Sequence, residues 1–218
     1  MKFLSDGVKE WYINLIDPVI KLFIRLEVHP NHLTTLGLLI QFFTVYFLAV
    51  GYFIISGILI LMSGTCDIID GQLARRRKIG TKFGALYDSV FDRYAEFALY
   101  FGIGYYFVNN EFHLYSDLVY SVITYLALGG SLMTSYIRAR AEGLGIECKV
   151  GVMQRPERIV YIGFAALLSG IPALNPYPLI AVLIVIAVLS NYTAIQRLVH
   201  VYKSTDRGRE LLKPYEKD

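Results

Sequence analysis

The sequence predicts an all-α integral membrane protein: six transmembrane helices preceded by an N-terminal amphipathic juxtamembrane helix. Three observations carry that expectation. Hydrophobic residues fill 55% of the 218 positions and mean hydropathy is +0.47, which is too apolar for a soluble domain of this size. Several runs of about 20 residues, the length that crosses a bilayer core, hold few charges. The 21 Lys and Arg residues are segregated, with none in 109–117 or 170–178.

The first element is expected over residues 5–27. Val8, Trp11, Leu15, Val19, Leu22 and Leu26 recur every three or four positions, with Lys9, Asn14, Lys21 and Arg25 between them. This pattern predicts a helix lying in the membrane interface, anchored by Trp11. Asp17-Pro18 predicts a break, with Asp17 as N-cap and Pro18 opening a second piece. His29-Pro30 ends the helix, and a first span follows over 33–50. A tight turn at Gly51 returns the chain through a second span, 52–73. The basic run Arg75–Lys78 leads to a third span, 83–108, and a fourth covers 116–139. A fifth, 157–171, ends at the Pro/Gly-rich stretch 170–178, and the most apolar, 178–201, closes the set. The chain thus divides into the interfacial helix (1–29), the six-helix domain (30–203) and a cytoplasmic tail (204–218). Six spans put both termini on one side, and the positive-inside rule makes that side cytoplasmic, in the cell inner membrane. The first ten residues, Met1 to Glu10, lack an apolar run, so no cleavable signal peptide is expected. Cys66 and Cys148 suggest neither a disulfide framework nor a thiolate metal site.

Ionisable side chains at membrane depth mark functional sites by default. Asp67, Asp70, Asp88 and Asp92 lie at the cytoplasmic ends of spans two and three. Asp67 and Asp70 are i,i+3 and Asp88 and Asp92 are i,i+4, so each pair shares a helix face. Facing one another, four carboxylates would repel unless a cation stood among them. Oxygen-only ligands select hard ions, Mg²⁺ or Mn²⁺ with Ca²⁺ also open, over zinc. Four carboxylates suffice for two ions. Gly71, Ala74 and Gly84 let a backbone or a flat ligand approach closely, and Arg75 stands within reach of a phosphate. The plainer alternative, acids paired with Arg75, Arg76 and Arg93 at the membrane surface, would suit one Asp better than four at matched spacing.

These residues fit D-x2-D-G-x2-A-R-x8-G-x3-D-x3-D at all eight specified positions. The stretch thereby resembles the CDP-alcohol phosphotransferase family, as does Pro30-Asn31-His32-Leu33-Thr34 at the entry to the first span. The resemblance covers essentially the whole chain. It implies six membrane helices, homodimerisation, and transfer of a phospho-alcohol from a CDP-alcohol to an acceptor hydroxyl with release of CMP. It further implies two Mg²⁺ ions (Mn²⁺ being the alternative) on the four aspartates, Asp92 as general base, and the nucleotide of a CDP-diacylglycerol-type lipid near Asn31, Thr34, Asp67, Gly71, Ala74, Arg75 and Gly84. No nucleic-acid partner is implied.

A second, basic constellation lies at the cytoplasmic ends of spans four to six: Ser135, Arg138 and Arg140, then Arg155-Pro156-Glu157-Arg158, then Arg197. Converging guanidinium groups form an anion pocket, because they grip phosphate bidentately. Singly, they could equally snorkel to anionic headgroups. The run Ser135–Gly143 with Gly151-x3-Arg155-Pro-Glu-Arg158 resembles the phosphatidylinositol phosphate synthase branch. That resemblance makes inositol phosphate, or another phosphorylated polyol, the acceptor, held by Arg138, Arg158 and Arg197 with Ser135 and Arg140 assisting. One departure stands out: the branch commonly carries Lys where Arg138 stands, and a fork is not a point charge. Glycerol 3-phosphate, as in phosphatidylglycerophosphate synthase, demands a similar pocket, whereas a zwitterionic serine would not. Outside enzymes, the aspartates could line a divalent-cation transport path, but the outer halves of spans two, five and six are nearly pure Ile, Leu, Val and Ala. A lipid-binding scaffold without turnover would tolerate loss of an Asp, and none is lost.

Overall fold

A computed structural model describes residues 6–109 and 114–205; residues 206–218 of the proposed tail and 110–113 of the 109–117 loop lie outside these. Seven α-helices and no strands occur among the described residues: α1 (Asp6–Arg25), α2 (Pro30–Ala49), α3 (Phe53–Arg76), α4 (Lys82–Asn109), α5 (Leu114–Gly143), α6 (Arg155–Ser169) and α7 (Tyr177–Ser204). Four helices are long and apolar enough to cross a membrane: α2, α3, α5 (from Leu118) and α7. Helix α4 has the length, 28 residues, but carries Asp88, Asp92, Arg93 and Glu96. Helix α6 has 15 residues, about 22 Å at 1.5 Å per residue, against a hydrocarbon core of about 30 Å.

Helix α1 departs from expectation. It runs unbroken through Pro18, so Asp17 does not cap a new helix. A proline costs one backbone hydrogen bond and crowds the preceding turn, and tertiary contacts offset this here. Asp17 pairs with Lys21 at 2.7 Å and with Arg76 of α3 at 2.5 Å. Those two cations hold its carboxyl below the usual carboxylate range. Tyr12 hydrogen-bonds Thr65 at 2.7 Å, and buried Ile20 packs with Leu33, Ile69 and Leu73. The stripe through Trp11, Leu15 and Leu22 points the other way and is exposed. Helix α1 thus has two apolar faces, one on the body and one bare. At its end, α3 runs on to Arg76, so Arg75 and Arg76, expected in a loop, sit in its last turn.

The remaining six helices form a closed ring in the order α2, α4, α5, α7, α6, α3, each packed on its neighbours. Consecutive helices α3 and α4 are not neighbours in it. Both flank α2, and a side chain of α6, Arg155, spans the space between them. One half of the ring is filled by Leu48, Phe53, Ile60, Leu99, Ile103, Phe107, Ile162 and Leu183. Small residues set the close crossings. A Cβ on Gly57 would lie 2.6 Å from Leu167 and 2.8 Å from the Gly163 carbonyl, which locks α3 onto α6. Midway along α4 and α5, Gly102 abuts Val45 of α2, Gly130 abuts Asn191 of α7 and Gly104 lies near Tyr125, while a Cβ on Gly129 would meet nothing within 4 Å.

Across the ring, Arg158 of α6 grips Glu96 of α4 with its fork, Nε–Oε1 at 2.7 Å and Nη2–Oε2 at 3.1 Å. Both side chains are fully buried. Removing one partner of a buried pair strands the other charge, at about 3–5 kcal/mol, whereas replacing both with apolar groups is often neutral. Glu96→Ala should therefore lower the thermal midpoint in detergent, and Glu96→Leu/Arg158→Met should be more stable than either single change.

Candidate active site

Helix α3 contributes Asp67 and Asp70, and α4 contributes Asp88 and Asp92, so the matched spacings do bring each pair into the interior. What stands between them is a protein cation. Arg155, the first residue of α6, places Nη1 2.9 Å from Asp67 Oδ2 and 2.9 Å from Asp92 Oδ1. Asp70 accepts a 2.6 Å hydrogen bond from Thr34 Oγ1. Thr34, expected beside the nucleotide, is buried, and its hydroxyl proton is committed to orienting this carboxylate. Gly37, which the sequence did not single out, lets α2 approach here: its added Cβ would lie 3.4 Å from Asp67 Oδ1.

Among the described residues, no three Asp, Glu, His or Cys side chains already stand as a formed metal cage. The donor set nevertheless fits a hard divalent cation. It is all oxygen, it comes from two facing helices, and its two opposed members, Asp67 and Asp92, already share one positively charged nitrogen. Around it, the Arg75 guanidinium folds back over Gly71, 3.3 Å from where a Cβ would sit. A Cβ on Gly84 would lie 3.5 Å from Asn31 Oδ1, so these two predicted residues adjoin although 53 positions apart. Thr81 Oγ1 accepts from the Gly84 N–H at 2.9 Å.

Beside the aspartates lies a cavity of about 420 Å³, lined by Asp88 and Asp92 together with Ser135, Arg138, Arg158 and Arg197. Four of the five predicted acceptor residues therefore share a space with two of the aspartates. The fifth, Arg140, is exposed and does not line it. Two residues beyond Arg138 is about 200° around a helix, which turns the side chain away. Their charges differ in availability. Arg138 pairs with Glu142 at 2.9 Å in an exposed setting, and Arg158 is committed to Glu96. Arg197, 4% exposed, donates to the carbonyls of Val150 at 2.9 Å and Thr134 at 2.5 Å, with no carboxylate partner among the described residues. A desolvated guanidinium held only by carbonyls is an incomplete ion pair.

The 145–154 segment holds Arg197 in place. The amides of Val152 and Met153 donate to Thr193 Oγ1 at 3.2 and 3.1 Å. Gly151 has φ +136°, and a Cβ there would sit 2.3 Å from Thr193 Cγ2, so both backbone and space require glycine. Helix α6 then starts at Arg155, with Glu157 accepting from the Gln154 N–H at 2.7 Å, and this start aims Arg155 and Arg158 at α4. A larger groove of about 730 Å³, lined by Lys149, Tyr192 and His200 among others, contains none of the predicted site residues. Glu96 was assigned no role from sequence, and Arg155 was placed only among the arginines of the basic constellation, not against the aspartates. The readable signal was a matched register, Asp92/Glu96 at i,i+4 opposite Arg155/Arg158 at i,i+3.

The chain matches the CDP-alcohol phosphatidyltransferase family over residues 27–202. It is 36% identical over 201 residues to an archaetidylinositol phosphate synthase of Methanothermobacter thermautotrophicus, covering 90% of this chain and 97% of the relative. It is 33% identical to the phosphatidylinositol phosphate synthase of Corynebacterium glutamicum, over 87% of this chain and 85% of that one. Two crystal structures of the Mycobacterium tuberculosis phosphatidylinositol phosphate synthase superpose on it. One, with CDP-DAG bound, gives a TM-score of 0.76 at 29% identity, over 87% of this chain and 94% of that chain. The other, in complex with manganese and citrate, gives 0.77 at 28% identity, over 87% and 90%. The protein is thus a member of the CDP-alcohol phosphatidyltransferase family.

Proposed function

We propose that the protein transfers the phosphatidyl-type group of a CDP-lipid to a hydroxyl of inositol phosphate, releasing CMP. The observation that carries this reading is the shared cavity: Asp88 and Asp92 line the same space as Ser135, Arg138, Arg158 and Arg197. A small acceptor bearing both a hydroxyl and a phosphate suits such a space, with the hydroxyl at Asp92 and the phosphate at the arginines. The names of the similar synthases support the same acceptor, and a manganese complex of a structural relative supports a divalent ion.

In this reading Asp67, Asp70, Asp88 and Asp92 would hold two divalent cations, Mg²⁺ or Mn²⁺. Bound there, these would offset the charge of the diphosphate and of the leaving CMP. Asp92 takes the acceptor's proton on a carboxylate oxygen as the acceptor oxygen bonds to the phosphorus and the bond to CMP breaks. Thr34 fixes the Asp70 carboxylate. Asn31, Gly71, Ala74, Arg75 and Gly84 form the nucleotide side, with the guanidinium of Arg75 on a phosphate. Arg197, already desolvated and held by carbonyls, supplies the acceptor phosphate with its strongest unpaired charge. Arg158 acts mainly by holding α4 against α6. Arg140 drops out of the pocket and serves the membrane surface.

The same reading takes α2 to α7 as six spans. Helix α4 hides its charges inside the ring, and α6 reaches the far face through the 170–178 segment. Helix α1 lies in the interface with its bare stripe in lipid, and the aspartates face the cytoplasm of the inner membrane. Residues 1–29, 30–203 and 204–218 then act as anchor, catalytic domain and tail. We further assign a homodimer, for which the exposed face of α5 around Gly129 is open.

Three outcomes are expected. Asp92→Asn should cut CMP release by at least about 100-fold, the lower range for losing a general base, while CDP-diacylglycerol still binds; full turnover would remove Asp92 from that role. Arg197→Lys should raise the KM for inositol phosphate by about ten-fold or more, as a charge-assisted hydrogen bond is lost, and leave the KM for the CDP-lipid nearly unchanged. Purified protein given CDP-diacylglycerol and Mg²⁺ should release CMP with inositol phosphate and not with inositol or serine. Release with glycerol 3-phosphate alone would leave the family intact and overturn the acceptor.

A further inference from the structure

Helix α6 presents two arginines to the ring interior, one turn apart, and they are built differently. Arg158 meets Glu96 fork to fork, and both are fully buried. Arg155 bridges two carboxylates on opposite helices through Nη1 alone, 2.9 Å from each. Its Nε is buried with no hydrogen-bond partner. Its side chain keeps 19% exposure and forms part of the cavity wall. The fork of an arginine is normally satisfied by two parallel bonds to one carboxylate. A single shared nitrogen and an orphaned Nε describe a cation that balances charge without being locked in place.

Charge explains why it is there. Helices α3 and α4 both pack on α2 rather than on each other, and Asp67 and Asp92 would repel across the space between them if no cation lay there. Arg155 does for these two carboxylates what a metal ion does. It cannot keep the same bonds once a metal takes the same oxygens, and its wall position beside Arg138 and Arg197 gives it another place to go.

We propose that Arg155 is a displaceable internal counter-ion. It neutralises Asp67 and Asp92 while they hold no metal, gives way when a divalent cation binds, and turns into the cavity to meet a substrate phosphate. The proposal rests on the reading of the aspartates as metal ligands. Two consequences follow. Metal must compete with Arg155, so its apparent affinity is lower than the four carboxylates alone would give. An anionic substrate that captures the displaced guanidinium strengthens metal binding, and metal strengthens substrate binding by the same factor. The site would then load metal firmly only when a phosphate is present.

The test measures Mn²⁺ binding to full-length protein in detergent from the electron paramagnetic resonance signal of the free ion. Arg155→Gln should bind Mn²⁺ about ten-fold more tightly than wild type, within the usual range of coupling between sites, and should have a lower thermal midpoint without metal. CMP should tighten Mn²⁺ binding in wild type and do so less in the variant. Unchanged or weaker Mn²⁺ binding in Arg155→Gln would overturn the proposal. Wild type supplies a second measurement that no folding defect can obscure. Phenylglyoxal modification of Arg155, read by mass spectrometry of its peptide, should rise by about three-fold or more when Mn²⁺ is added, as a guanidinium released from its carboxylates becomes accessible. Protection or no change would count against displacement. Mn²⁺ binding that survives the double change Asp67→Asn/Asp92→Asn would instead overturn the metal assignment beneath it.

Discussion

Carboxylates on two helices that point into the same apolar ring can stay ionised there only with positive charge between them. Asp67 on α3 and Asp92 on α4 meet this condition through the Arg155 guanidinium, 2.9 Å from both. Much of the rest of the architecture serves that arrangement. The ring order keeps α3 and α4 apart, so the gap between these carboxylates is spanned by Arg155 rather than closed by interdigitated side chains. Gly57 against Gly163 brings α6 hard onto α3, which carries Arg155 to the α3 side. The buried Glu96–Arg158 pair fixes α6 to α4 one turn deeper. The site is held open by geometry and held together by charge.

Legibility in the sequence tracked how local each feature is. The aspartate pairs could be read because helical periodicity alone decides which residues share a face, and α3 and α4 are regular where those residues lie. The expected segment limits lie within a few residues of the helix ends for the same reason. Pro18 misled because its cost is local, whereas the Asp17–Arg76 pair and the packing of Ile20 that override it are tertiary. The stripe through Trp11 and Leu15 was correctly apolar but lies on the exposed side; the side that docks uses Tyr12, Ile16 and Ile20. Periodicity says that a face is apolar and not what covers it.

The arginines show the same limit from the other direction. The resemblance assigned five residues to an acceptor pocket, and four line one cavity. Helix rotation removed Arg140. Burial divided the remainder, since Arg158 is neutralised by Glu96 while Arg197 rests on two backbone carbonyls. Nothing in the local sequence separates these fates. They follow from the 145–154 segment, where Gly151 packs against Thr193 and sets the path of the chain into α6. Sequence spacing decided which residues share a helix face, and the packing of the ring decided which of them meet.

The central claim is that divalent cations enter between α3 and α4 and take the oxygens that Arg155 now holds. Anomalous diffraction from crystals grown with Mn²⁺ tests it most directly. The account predicts anomalous peaks among the carboxylates of Asp67, Asp70, Asp88 and Asp92, with the Arg155 guanidinium withdrawn from Asp67 and Asp92 into the cavity. Peaks elsewhere, or Arg155 still bridging both carboxylates beside a bound ion, would contradict it.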